Sequence, residues 1–385
     1  DVERLNRRSP RLHYGYVILL FAMLNLAGSL GFGRFAYTMI LPAMRDGLGL
    51  QNTQMGIIGT IGFIGYMAMC IPGGLLATRF GPRIVIALGL LTCGAGMMSI
   101  GTISGLTGSI VLMIVVGIAS AAGNAAGFAF ASAWFVGRIR GAATGITLGG
   151  PGIGMAVVGL LVPFILSRYG DNGWRWAWYY CGAITVLLGI LCWIFLRNHP
   201  AEMGLQPIGA PAPAPTSPAS GSESVWTKVF KSREMWRLCA ITLAFGFDYI
   251  IYGTFFASFV QDEVGLSKGE AGNLWSLVGF LTIFSGLLGG LLADRVGRSW
   301  AFTCLFLAQG MALLLVAMSH SIGALYLSMA LYGLSAWGFP ALLGATCGDL
   351  LGPRLAPAGV GFAIFTFAIG QAAGPITAGA LYDRS

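Results

Sequence analysis

Charged residues are scarce in this chain, since only 9% of its 385 residues are Asp, Glu, Lys or Arg. Soluble globular domains carry about 25% charged residues, so the composition excludes an ordinary soluble protein. Histidine is rarer still, with three scattered residues, and the seven cysteines show neither C-x-x-C nor zinc-ligand spacing. The chain also lacks a phosphate-cradling loop. We therefore expect no enzyme, no metal site and no cofactor.

Long apolar runs are what the chain has instead, because hydrophobic residues make up 56% of it. A run of about 20 residues can cross a hydrocarbon core of roughly 30 Å as a helix. The first run is too long for a cleaved signal peptide. The chain is thus predicted to be an all-α protein of the lipid bilayer. The runs lie at about 14–43, 53–78, 83–103, 109–136, 141–167, 174–196, 235–260, 270–294, 299–319, 321–348 and 357–382.

Two parts of the chain repeat each other, with a linker between them. The segment from Gly74 to Arg83 recurs from Gly290 to Ser299. A Pro/Ala/Ser stretch at 211–218 cannot bury a core and is typical of an extended linker. We predict an N-terminal six-helix bundle at 1–197, a cytoplasmic linker at 198–234 and a C-terminal bundle at 235–385. The second bundle is shorter by about one helix and its loop, so a twelfth helix is expected to be missing from this chain.

The Lys and Arg residues are distributed unevenly between the two predicted sides of the membrane. With the N-terminus in the cytoplasm, cytoplasmic segments hold 16 of them and the opposite side holds five. This bias predicts a cytoplasmic N-terminus and linker. Because the net charge of +8 is concentrated in these short segments, it gives no reason to expect a nucleic-acid partner.

The repeated segment resembles the G-x-L-A-D-R-x-G-R signature that the major facilitator superfamily carries between helices 2 and 3. The second copy matches throughout, whereas the first has Thr78 in place of the aspartate and Pro82 in place of one basic residue. The resemblance implies a major facilitator fold of two pseudo-symmetric six-helix bundles that rock to give alternating access. It also implies a gating role for the motif residues Gly74, Arg79, Arg83, Gly290, Asp294, Arg295 and Arg298. The segment 200–207 resembles one found in carboxylate-carrying branches.

Two charges lie inside predicted membrane helices, Arg34 in the first and Asp248 in the seventh. Such a charge costs roughly 2.5–3.5 kcal/mol on insertion scales, so each is a candidate functional residue. Aligning the first half with the second at an offset of 215 residues places Asp248 beside the position of Arg34. The resemblance implies that helices 1, 4, 7 and 10 line a central cavity. We therefore expect Arg34 and Asp248 to be partners in one site.

Three interpretations of this pair stay open. Arg34 binds a substrate carboxylate while Asp248 couples transport to protons; or the two form a structural ion pair; or Asp248 attracts a cationic substrate. The glycines at 31 and 33 could serve either ligand approach or close helix packing. The other expected substrate-binding residues are Tyr37, Asn124, Tyr249, Tyr252, Trp337 and Gln371.

These features predict a secondary active transporter that moves a small organic anion, preferably a monocarboxylate, by alternating access. Transport would be coupled to protons as symport or antiport, or would exchange a counter-solute. We expect a monomer in the bacterial inner membrane. The alternatives are an exporter of multiple drugs or amphipathic compounds and, in another class, a membrane sensor or scaffold that does not transport.

Overall fold

A computed structural model describes residues 13–135, 139–209, 229–318, 321–351 and 356–382. This part of the chain is almost entirely helical, as predicted. Its α-helices are α1 (Gly15–Leu26), α2 (Gly33–Leu48), α3 (Asn52–Phe80), α4 (Pro82–Ile100), α5 (Leu106–Trp134), α6 (Ile139–Thr147), α7 (Gly150–Tyr169), α8 (Gly173–Phe195), α9 (Arg233–Asp262), α10 (Lys268–Val296), α11 (Arg298–Met318), α12 (Ile322–Ser335), α13 (Gly338–Leu351) and α14 (Ala356–Tyr382).

Ten helical segments of the described residues are long and apolar enough to cross a membrane. One of them, Ala143–Phe195, is 53 residues long and is interrupted by a short 3-10 turn at Gly170–Asn172. A straight helix of that length would measure about 80 Å, so α7 and α8 are two separate crossings. The all-helical membrane fold is thereby confirmed. Buried apolar side chains form one large cluster that spans both halves and a smaller cluster in the first half.

The first membrane helix is irregular where it approaches Arg34. A turn of π-helix at Ala27–Phe32 separates α1 from α2. Such turns hold an extra residue and are frequent at functional sites. Helix α2 continues to Leu48 and ends at Gly49, which is in the left-handed conformation at φ +63°. Arg45, expected in a loop, therefore lies in the last helical turn.

Among the described residues, the two halves pack most extensively through three helix pairs, α2 with α9, α3 with α14 and α7 with α10. At one end, Gly56 packs against the backbone of Pro375 too closely to leave room for a Cβ atom. At the other end, nothing among the described residues lies within 4 Å of a Cβ atom placed on Gly145 of α6 or Gly290 of α10. The central space between the halves is therefore closed at the Gly56 end, and the described residues show no such close packing at the Gly145 end.

The residues that follow α8 fold back onto the first bundle. Asn198 Oδ1 accepts a hydrogen bond of 2.9 Å from the backbone nitrogen of Arg83. Ten residues further on, the backbone nitrogen of Ile208 donates to the Trp134 carbonyl at 2.9 Å. The first part of the predicted linker is thus packed on the N-terminal helices. Its Pro-rich part, 210–228, lies outside the described residues.

Candidate functional site

Arg34 lies in the first turn of α2, and its guanidinium is stacked against two aromatic rings of α3. Arg34 Cζ is 4.2 Å from the ring centroid of Phe63 and 4.7 Å from that of Tyr66. Arg34 Nη2 donates a hydrogen bond of 2.7 Å to Gln371 Oε1 on α14. Among the described residues no carboxylate pairs with it. The charge is therefore held by cation–π attraction and one neutral acceptor.

A central cavity lies between the two halves, and Arg34 lines it. The space in it that a water-sized probe can enter is about 80 Å³. One water needs about 10–15 Å³ of such space, so in this conformation the cavity has room for several waters or for the charged group of a ligand. Five of the seven predicted substrate-binding residues line this one cavity, namely Arg34, Asn124, Tyr249, Trp337 and Gln371.

Four polar atoms on the wall of this cavity are buried and have no hydrogen-bond partner among the described residues. They are Asn124 Oδ1, Tyr249 Oη, Trp337 Nε1 and Gln371 Nε2. Each buried polar group left unpaired costs about 1–3 kcal/mol, so a bound ligand or water is the expected partner. The phenol, the indole and the amide can all donate a hydrogen bond. Together with Arg34, these donors suit an anion.

Two predicted binding residues lie elsewhere. Tyr37 lines a second, smaller cavity, and its hydroxyl donates to the Met55 carbonyl at 2.6 Å. The Tyr252 ring is stacked on that of Tyr332 with centroids 4.1 Å apart, and its hydroxyl is 3.1 Å from Ser328 Oγ. Both hydroxyls therefore have protein partners in this conformation, and a substrate contact from either stays a prediction.

Asp248 does not contact Arg34, and the expected partnership of the two charges is wrong for this conformation. Among the described residues neither side chain forms a salt bridge, and Asp248 does not line the Arg34 cavity. Successive residues of an α-helix point about 100° apart. On α9 it is Tyr249, the next residue, that faces the cavity. Asp248 Oδ2 is buried and has no hydrogen-bond partner among the described residues.

Phe63 and Tyr66 are site residues that the sequence analysis missed. With Gly59 and Gly62 they line the smaller cavity beside Arg34. Tyr66 also lines the central cavity, and its hydroxyl accepts a hydrogen bond from Asn124 Nδ2. The positions 59, 62, 63 and 66 fall on one helix face. That face, formed by two glycines and two aromatic residues, is the signal that could have identified them.

The glycines that precede Arg34 serve close helix packing. A Cβ atom on Gly31 would lie 2.5 Å from Gly154 Cα on α7, and one on Gly33 would lie 2.8 Å from Cys93 Sγ on α4. Small residues let membrane helices approach each other closely. Of the two explanations left open by the sequence, packing is the one that the structure supports.

The first copy of the repeated motif lies where α3 meets α4. Arg83 Nε donates a hydrogen bond of 2.8 Å to the Trp193 carbonyl near the carboxyl end of α8. The partial negative charge at that end of a helix attracts a cation. Arg79 Cζ lies 5.4 Å from the ring centroid of Phe80. Among the described residues, nothing lies within 4 Å of a Cβ atom on Gly74. A gating role for this copy stays a prediction.

The second copy lies where α10 meets α11, and one of its residues is in an ion pair. Arg298 forms a salt bridge with Asp349 near the end of α13. Asp294 and Arg295 are exposed, and neither forms a salt bridge with another described residue. No described residue lies within 4 Å of a Cβ atom on Gly290. The pairing of Arg298 links two helices of the same bundle, and its gating role also stays a prediction.

Comparison with known proteins gives a family match over most of the chain. The family described as "Major Facilitator Superfamily" matches residues 23–375. The chain is 26% identical over 299 residues to "Probable sulfoacetate transporter" of Cupriavidus necator, which covers 75% of this chain and 66% of that protein. It is 25% identical over 288 residues to "Hexuronate transporter" of Bacillus subtilis, covering 74% and 65% respectively. For "Nitrate transporter 2.1" of Chlamydomonas reinhardtii the identity is 23% over 283 residues, covering 69% and 51%. The chain thus spans two thirds or less of the length of these relatives.

Solved structures share the fold at low sequence identity. A bacterial homologue of the human lysosomal transporter Spinster, in an inward-facing and unoccupied conformation, has a TM-score of 0.76 and 18% identity. That match covers 96% of this chain and 82% of the other. A nucleoside transporter has a TM-score of 0.72 and 14% identity, covering 97% and 92%. At these identities the likeness shows the fold alone.

Proposed function

This chain belongs to the major facilitator superfamily, and on that premise we propose that it is a secondary transporter which carries an organic anion through the Arg34 cavity. The observation that carries the proposal is one arginine on the cavity wall together with three buried donor atoms. These atoms, Tyr249 Oη, Trp337 Nε1 and Gln371 Nε2, have no hydrogen-bond partner among the described residues. Relatives named for sulfoacetate and hexuronate support an organic acid.

The arginine favours one carboxylate as the ligand group. A guanidinium has five N–H donors in a planar fork, and Arg34 uses only one hydrogen bond to a described residue. A carboxylate can accept two parallel hydrogen bonds from such a fork. Arg34 is also the single charged residue among the described residues that line the cavity. One cation balances one negative charge, and this supports a monocarboxylate.

The two other interpretations of the charges find less support. A structural ion pair between the halves requires a contact between Arg34 and Asp248, which is absent among the described residues. A cationic substrate requires an acidic group in the cavity, and no acidic residue is among the described residues that line it. The arginine would repel such a substrate. An anion remains the ligand that the wall fits.

The transport cycle that we propose is alternating access in a monomer of the bacterial inner membrane. The bias of Lys and Arg supports a cytoplasmic position for the N-terminus and for the Gly145 end of the cavity. Substrate would then enter or leave there while the halves stay closed on the opposite side. We assign the proton-coupling role to Asp248, which precedes Tyr249 on α9. A change in the charge of its buried carboxylate would act on α9, and Tyr249 of this helix lines the cavity.

Counterflow in liposomes tests this proposal. Liposomes that contain the purified protein are preloaded with unlabelled benzoate, glucuronate or sulfoacetate. Uptake of the labelled compound into these liposomes is then followed. Arg34→Gln is expected to abolish exchange, and Arg34→Lys to weaken apparent affinity roughly 10- to 100-fold because the planar fork is lost. The control is Arg237→Gln, since Arg237 is exposed and its ion pair with a described residue is with nearby Glu234. Undiminished exchange by Arg34→Gln, or no counterflow with any organic anion, would refute the proposal.

A further inference from the structure

We propose that the transported anion has a single charged end and an apolar body about 10 Å long, and this inference rests on the function proposed above. The cavity wall is divided along its length. The polar groups described above lie at the level of Arg34. Beyond them the wall consists of apolar side chains from both halves, among them Leu148 of the first half and Leu343, Ile364 and Phe367 of the second.

The division follows from the positions of these residues on their helices. On α14, Ile364, Phe367 and Gln371 share one face of the helix and all line the cavity. Seven residues separate Gln371 from Ile364, which is about 10 Å along the helix axis. Leu148 lies three residues after Gly145, and no described residue lies within 4 Å of a Cβ atom on that glycine. The charged end of a ligand therefore points to Arg34 and its body towards the Gly145 end.

The apolar part of the wall disfavours a polyhydroxylated body. Its one hydroxyl-bearing side chain among the described lining residues is Thr242, and that hydroxyl is already bonded to Thr366 at 2.6 Å and to the Cys239 carbonyl at 2.9 Å. A ligand hydroxyl buried there would lose its hydrogen bonds to water without replacement. A second carboxylate would meet no second cation among the described lining residues. Sugar acids and short dicarboxylates are disfavoured for these reasons.

A homologous series of anions measures the apolar contribution directly. Alkanesulfonates are suitable probes because they stay charged and do not leak through bilayers as neutral acids. Each buried methylene is worth about 0.8 kcal/mol, which is roughly fourfold in affinity. Hexanesulfonate is therefore expected to bind about 16-fold more tightly than butanesulfonate. Benzenesulfonate is expected to bind at least tenfold more tightly than sulfoacetate.

Binding is measured as inhibition of counterflow and as thermal stabilisation of the purified protein, with butanoate and hexanoate as the carboxylate pair. Arg34→Gln should lose the response to all of these probes. This result would distinguish binding at the Arg34 site from nonspecific detergent effects of the probes. An affinity that stays flat along both series, or tighter binding of sulfoacetate than of benzenesulfonate, would overturn this inference and leave the anion site standing. No binding of any anion by the wild-type protein would overturn the proposed function itself.

A substitution at Ile364 tests the location of the body. Ile364→Lys places a second cation at the apolar end. The ratio of the affinity for hexanedioate to that for hexanoate should therefore be at least tenfold higher in this variant than in the wild-type protein. Ile364→Thr replaces the ethyl branch of the side chain with a hydroxyl and should reduce the advantage of hexanesulfonate over butanesulfonate by at least threefold. Ile364→Leu is the matched control and should keep the wild-type order. Unchanged ratios in both Ile364→Lys and Ile364→Thr would overturn the inference.

Discussion

The salt bridge between Arg45 and Asp262 provides a direct test of how the closed end is held. Arg45 lies in the last turn of α2 and Asp262 ends α9, so the pair joins the two halves. Arg45 Nη1 is 2.8 Å from Asp262 Oδ2, and Nη2 is 3.4 Å from Oδ1. Arg45 also donates to Asn52 Oδ1 at 3.1 Å. Opening of this end separates the two residues, so their attraction favours the closed state.

The size of this contribution follows from distance and exposure. Two unit charges 4 Å apart attract by about 1 kcal/mol in water and about 4 kcal/mol at an effective dielectric constant of 20. The side chains of Arg45 and Asp262 keep 17% and 30% of their surface exposed, so solvent screens the pair substantially. We therefore expect about 1 kcal/mol, which is roughly a fivefold change in the ratio of closed to open molecules.

Distances between spin labels across the closed end measure this ratio. Labels are attached to Cys introduced at exposed positions Gln51 and Leu381, after the seven native cysteines have been replaced. Asp262→Asn and Arg45→Gln should each increase the long-distance population about fivefold, and the double variant should increase it no further. At 1 M salt the difference should shrink because the Debye length falls to about 3 Å. Additive effects, or unchanged distances in both single variants, would refute the reasoning.

Three further predictions concern the site and its packing. Gly31→Ala should lower the free energy of unfolding by about 1–3 kcal/mol, because the new Cβ overlaps α7, whereas Gly145→Ala should leave the melting temperature unchanged or raised. Asp248→Asn should remove the response of uptake to a proton gradient, and accumulation that still follows the gradient would exclude the coupling role. Tyr66→Phe should keep most of the affinity for substrate. Tyr66→Leu should lose the cation–π contact to Arg34, which is worth about 0.5–2 kcal/mol, and should bind substrate more weakly in an inhibition assay. Equal affinities of the Phe and Leu variants for substrate would contradict this.

The fold could be predicted from sequence because the bilayer makes it a local property of the chain. A segment in hydrocarbon must satisfy its own backbone hydrogen bonds, so a long apolar run becomes a helix whatever its neighbours. The duplicated motif then relates the two halves. The Lys and Arg bias in turn predicts the side of the loops. None of these inferences requires the rotation of a helix about its axis to be known.

The site could be predicted only in part because it depends on that rotation. Sequence marked Arg34 as a charge in a membrane helix, and the offset of 215 residues placed Asp248 beside it. The same offset pairs Arg34 with Tyr249, which does line the cavity, and pairs Asp248 with Gly33. A Cβ atom on Gly33 would meet Cys93 of its own bundle, and Asp248 likewise does not line the central cavity. A shift of one residue thus separates a cavity residue from a residue outside the cavity.

The π-turn explains why Arg34 itself faces the cavity. One extra residue in a helical turn rotates everything that follows by about 100° relative to an unbroken α-helix. If the turn at Ala27–Phe32 relaxed to α-helix, Gly33 instead of Arg34 would face the cavity. The cavity would then lose its cation. The irregular turn is supported by Ser120, whose hydroxyl donates to the Ser29 carbonyl at 2.5 Å. Gly31 within it accommodates the close approach of α7. The local irregularity of the first helix, rather than the pairing of two charges, therefore determines the orientation of the candidate anion-binding residue.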